Sequence, residues 1–101
     1  LKEKSYLSSK LYYNVSEYKA AIVALKNSVK DFPESNHREE QLFLIVKSAY
    51  LLADNSVSEK QKERFQATID EYYTFAGEFP QSKYAKEALE MYEASKKFLG
   101  N

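Results

Sequence analysis

The sequence predicts an all-α fold: about five antiparallel helices joined by short turns and stacked as a solenoid of helical hairpins. Three observations carry this. Apolar residues recur at steps of three and four along most of the chain, and no segment alternates with period two for long enough to make a strand. Two prolines, Pro33 and Pro80, and short polar runs mark the breaks. A shift of 47 residues lays Tyr18 on Phe65, Ile22 on Ile69, Phe32 on Phe79, Pro33 on Pro80 and Ser35 on Ser82. A period in that range signals a helical array. Each unit is a hairpin that cannot bury its apolar face alone, so neighbours must stack.

The first helix, over about 2–13, carries Leu7 and Leu11 with Tyr6 and Tyr12, and has the weakest stripe. Val15-Ser16 then sets an apolar residue and an N-cap hydroxyl before the second helix. There Tyr18, Ala21, Ile22, Leu25, Val29 and Phe32 run along one face. A third helix, over about 36–54, opens with Asn36 and Glu39 at capping-box spacing. Its stripe of Leu42, Ile45, Val46, Ala49, Leu52 and Ala53 is the widest in the chain. After the short connection Asn55-Ser56-Val57, Ser58 and Gln61 repeat the capping-box spacing. Phe65, Ile69, Tyr72, Ala76 and Phe79 follow on the fourth helix, and Ala85, Ala88, Leu89, Tyr92 and Leu99 on the fifth. Phe32 and Phe79 are expected at equivalent buried positions, each just before a proline turn.

Composition narrows function by exclusion. At 101 residues the chain fits one domain, 1–101, with repeat units at about 1–35, 36–82 and a partial 83–101. Two glycines leave no Gly-rich phosphate loop, while zero Cys and a single His argue against structural zinc and most metal catalysis. No metal or cofactor site is expected. Fifteen basic residues balance fifteen acidic ones, so no global field draws in nucleic acid or an anionic membrane. The longest apolar run is Leu42-Phe43-Leu44-Ile45-Val46, too short to span a bilayer. The charged start, Leu1-Lys2-Glu3-Lys4-Ser5, shows no signal region. It reads as a cut inside a longer protein, with any membrane anchor outside this stretch.

The segment from Tyr18 to Ser35 resembles the second helix of a tetratricopeptide repeat. Ala21 and Ser28 sit at its small positions, Leu25 at its large apolar one and Pro33 at its closing proline. Ser9 and Tyr12 fit the small and aromatic positions of the first helix, while Ser5 and Ser8 miss the expected Trp and Leu. The resemblance implies a right-handed solenoid. That repeat is normally 34 residues, so the 47-residue period implies 13 extra, expected in a lengthened third helix, the 55–57 connection and the start of the fourth helix. The endings Phe32-Pro-Glu-Ser and Phe79-Pro-Gln-Ser-Lys-Tyr-Ala are similar to the later repeats of the BamD (ComL, YfiO) family of outer-membrane β-barrel assembly lipoproteins. Cell-envelope coordinator proteins share that ending. The BamD resemblance implies a non-enzymatic scaffold at the periplasmic face of the outer membrane, binding periplasmic domains of the barrel subunit and other assembly lipoproteins. A peptide-binding adaptor of the coordinator type, or a cytosolic regulator, is the alternative.

Single residues are mostly structural in this reading. His37 is expected as a solvated turn residue. Glu39-Glu40 and Asp70-Glu71 are adjacent on helices and so share no face for acid–base chemistry. Lys60, Lys62 and Arg64, interleaved with Glu59 and Glu63, read as a solvated, salt-bridged face. Tyr18, Phe32, Phe65, Tyr72 and Phe79 read as core. The third helix, however, carries a second stripe: Phe43, Lys47, Tyr50 and Asp54. By the resemblance, first helices line a concave groove, which makes this stripe the candidate partner-binding face. Packing on helix 1 or helix 5 as extra core is the competing reading. Tyr13 and Tyr73 are weaker candidates of the same kind.

Overall fold

A computed structural model describes residues 1–100, and all five helices form. They are α1 (Lys2–Asn14), α2 (Tyr18–Asp31), α3 (Arg38–Asp54), α4 (Ser58–Glu78) and α5 (Ala85–Leu99). Sequential neighbours are antiparallel: Ser5 meets Ser28 and Tyr13 meets Tyr18 across α1–α2, while Phe43 meets Phe75 and Tyr50 meets Phe65 across α3–α4. Among the described residues no strand occurs, and no helix is long and apolar enough to cross a membrane. The chain is an all-α, tetratricopeptide-like stack. The extra length falls on both members of the second hairpin and most heavily on α4, which has 21 residues against 14 in α2; α3 has 17 against 13 in α1.

Core formation follows the widest stripe. In α3, Gln41 to Val46, Ser48, Ala49 and Ala53 are all buried, because helices press on it from several sides. Ala21 and Leu25 of α2, Phe75 of α4, and Ala88 and Met91 of α5 complete the central cluster. Gln41 is buried within it, and its amide donates to Ser28 Oγ (2.9 Å) and Ser9 Oγ (3.4 Å). That satisfies a polar side chain that would otherwise be costly so deep. The weak stripe of α1 is not its buried face. Leu7 and Leu11 are 61% and 58% exposed, and the helix packs through Ser9, Tyr6 and Tyr13 instead. Tyr12 is also exposed, so Tyr13 supplies the aromatic contact expected of it. Leu89 of α5 is likewise exposed.

The helix ends differ in detail from the capping expectations. Ser16 is no N-cap: at φ +64° it closes α1, donating its N–H to the Tyr13 carbonyl while Glu17 N–H donates to that of Tyr12. This is a Schellman arrangement with Ser where Gly is usual, and Glu17 takes the N-cap of α2. Asn36 makes no capping box, because α3 starts later, at Arg38. There Ser35 Oγ accepts the His37 N–H at 3.0 Å. Ser82 does the same for Tyr84 N–H before α5. Ser58 falls inside α4, and Gln61 reaches across the connection to the Ala53 carbonyl. Phe32 and Phe79 do occupy matching positions: both are C-caps, at φ −132°, ψ 66° and φ −128°, ψ 66°. They are half-buried rather than fully buried, since each ends its helix at the margin of the core. Of Tyr18, Phe32, Phe65, Tyr72 and Phe79, expected as core, only Phe65 is buried and the other four are half-buried.

Candidate functional site

The odd-numbered helices lie side by side. Backbones of α1 and α3, and of α3 and α5, approach closely, whereas those of α2 and α4 do not and meet through the Lys26–Glu71 ion pair. A stack packed more tightly along one side curves toward it. The concave face is therefore lined by α1, α3 and α5.

Two matching couplings hold this face together. The ring of His37, at the N-cap of α3, stacks on Tyr6 of α1 with centroids 3.6 Å apart, and Lys10 pairs with Glu40 at 3.0 Å. One joint along, the ring of Tyr84, at the N-cap of α5, stacks on Phe43 with centroids 4.5 Å apart, and Lys47 pairs with Glu87 at 2.7 Å. In both cases the lysine follows its aromatic by four residues, one helical turn, and its ammonium lies over that ring (5.6 and 5.9 Å). In both, the glutamate follows the N-cap ring by three. The two couplings differ in both rings: Tyr6 stands where Phe43 stands, and His37 where Tyr84 stands. His37 is accordingly packed, not solvated, with Nε2 2.8 Å from Glu3 Oε1.

These contacts perturb ionisation. Burial of Glu40 acts to raise its carboxyl, but hydrogen bonds from Tyr6 and Lys10 outweigh that and hold it below the usual range. The Glu87 carboxylate holds the Lys47 ammonium above its usual value, against burial and with help from the Tyr13 hydroxyl. At the α3–α4 end, Arg38 clasps Glu78 with two of its guanidinium nitrogens, Nε and Nη2, and depresses that carboxyl too.

A group with a depressed folded pKa stabilises above its unfolded value, about 4.3 for Glu, and loses that contribution as pH falls through the folded value. The stability of Glu40→Gln is therefore expected to fall less steeply than wild type below about pH 4. Urea midpoints at pH 7, 4 and 3 check this. Parallel curves would mean that Glu40 is not coupled to Lys10 and Tyr6.

The second α3 stripe meets α5 here. Phe43 is 4% exposed and belongs to the core, between Tyr84 and Phe75 and beneath Lys47. Lys47 is taken up by Glu87. Tyr50 is half-buried, edge-on to Phe65 at 5.9 Å, and its other side lines an open cleft of about 260 Å³ with Leu51, Met91 and Glu90. Asp54 is exposed at the helix end, beyond the residues that line the cleft. Of the stripe, Lys47 and Tyr50 line this cleft, joined on α3 by Leu51, which belonged to neither stripe. Stripe spacing missed Glu87, Glu90 and Met91 opposite, for which the register match of Glu40 with Glu87 was the available signal. Of the weaker candidates, Tyr13 faces Lys47 from α1, and Tyr73 lies away on α4, its hydroxyl 2.9 Å from that of Tyr92.

With this geometry in hand, comparison with protein families is decisive. A model of the YfiO family, described as an outer membrane lipoprotein, matches residues 2–101. The chain belongs to this family. YfiO is the BamD/ComL family that the Phe-Pro-x-Ser endings resemble, and the match spans all five helices of the chain rather than one hairpin. A search of curated proteins returned no significant match.

Proposed function

We propose that the chain is a non-enzymatic scaffold of the outer-membrane β-barrel assembly machinery, facing the periplasm and holding partner proteins in register. Its partners in this reading are periplasmic domains of the barrel subunit and other assembly lipoproteins. Family membership supplies the outer-membrane lipoprotein setting. One structural observation supports the binding role: on the concave face Tyr50, Leu51 and Met91 leave an apolar cleft that no helix of the described chain fills, edged by the Lys47–Glu87 pair. A tyrosine there offers a large apolar face and a hydroxyl at little entropic cost. Phe43 supports this face from within the core, and Asp54 lies one turn beyond Tyr50, outside the cleft.

Tyr50→Ala is expected to weaken partner binding by about 2 kcal/mol, some thirtyfold in Kd, the usual size of an interface anchor. Affinity for barrel-subunit periplasmic domains, measured alongside the melting of the free variant, checks it. An unchanged Kd with a lowered melting temperature would assign Tyr50 to the core alone. A pull-down from native cells that recovers only cytosolic chaperones would remove the assembly role.

A further inference from the structure

Lys60 and Arg64, read from sequence as part of a salt-bridged face, do not pair with the glutamates interleaved among them. Around α4, Glu59 and Glu63 turn with Lys62 to one side of the helix, while Lys60 and Arg64 turn to another. There they meet Lys19 of α2 across a cleft of about 820 Å³ between the α1–α2 and α3–α4 turns. Part of its wall is apolar, formed by Leu52, Val57 and Tyr18 beside the polar Ser16, Asn55 and Ser56, with Val57 64% exposed. Lys19 and Lys60 make no ion pair among the described residues, and Arg64 is held by a 2.7 Å hydrogen bond to Ser56 Oγ. Glu17 is the one carboxylate on the rim. A neutral chain thus gathers three cations around a partly apolar wall. We propose that this cleft is a second docking surface, on the α2-facing flank of α3 away from the Tyr50 cleft, and that it takes an acidic, apolar-containing segment of a partner protein.

Charge complementarity selects the occupant. Uncompensated cations in a walled cleft focus their field and favour a carboxylate-bearing ligand. A bare phosphate or a lipid headgroup would use the cations and leave Leu52, Val57 and Tyr18 wet. A peptide that alternates carboxylate and apolar side chains satisfies both, with charge steering the encounter and apolar contact supplying affinity.

The test follows the Leu52 and Val57 methyl resonances of the chain during four titrations: a synthetic pentapeptide alternating Asp and Leu, its Lys-for-Asp counterpart, inorganic phosphate, and phosphatidylglycerol vesicles. Saturable shifts are expected with the Asp–Leu peptide alone, weakening as salt rises. Lys19→Glu with Lys60→Glu should raise its Kd at least tenfold, and Lys19→Ala with Lys60→Ala by less, while circular dichroism stays unchanged because both lysines are exposed. Tyr50→Ala should leave this Kd alone, which separates this surface from the concave cleft. Equal shifts with phosphate or vesicles, no saturable shift with the Asp–Leu peptide, or an unchanged Kd in the charge-reversed protein each overturns the proposal.

Discussion

Phe75→Ala is expected to lower the unfolding free energy by about 3–5 kcal/mol, the usual cost of an emptied phenylalanine site. Phe75 is the largest fully buried side chain, 1% exposed. Its ring lies 6.0 Å from Phe43 and 6.4 Å from Phe79, so it links α3 to the C-terminal end of α4. A domain of this size has about 5–15 kcal/mol in total, and each kcal/mol shifts the melting temperature by about 4–8 °C. A fall of at least about 12 °C should be visible by circular dichroism. Phe75→Leu, which keeps more of the volume, should lose clearly less. Equal losses would mean that the site collapses around either side chain and that Phe75 does not set the spacing of α3 and α4.

Phe43→Ala is expected to cost a similar amount, about 3–5 kcal/mol, although its place on the second α3 stripe made it a candidate for partner contact. It is buried, stacked within 9° of parallel on Tyr84 and tilted against Phe75. Aromatic pairs of this kind add about 0.5–1.5 kcal/mol beyond area. Because Phe43 and Phe75 touch, the double variant should lose less than the two single losses added together. Denaturant melts of the two single variants and the double variant measure that coupling. Strict additivity would show that the two rings act on separate parts of the core.

Helix number and order were legible because the apolar period and the two Phe-Pro endings are local properties. The matching backbone angles of Phe32 and Phe79 are the physical content of the 47-residue repeat. Caps were less legible because serines were available in excess. Ser16, Ser35, Ser58 and Ser82 all stand near helix ends, and only the folded backbone shows that Ser35 and Ser82 tie the turns while Ser16 adopts a left-handed conformation. The α1 stripe misled for a different reason: Leu7 and Leu11 have helical spacing, but the close approach of α1 to α2 and α3 selects the small Ser9 face. At the candidate site, spacing pointed to Lys47 and Tyr50, two of the three α3 residues that line the cleft. The opposite wall joins residues some 40 positions apart, as Lys47 and Glu87 are, and period alone carries no such pairing.

The two matched couplings on the concave face also determine how the molecule yields to force. Ion pairs such as Lys10–Glu40 and Lys47–Glu87 weaken gradually as they stretch, because Coulomb attraction falls only with the inverse of distance. The apolar layer behind them loses most of its contact energy within about an ångström of separation. Opening the curve stretches these ion pairs and also parts the stacked rings beside them, whereas closing it further compresses rings already in contact. Each joint between hairpins therefore carries one slowly yielding contact, the ion pair, beside one that yields abruptly, the ring stack.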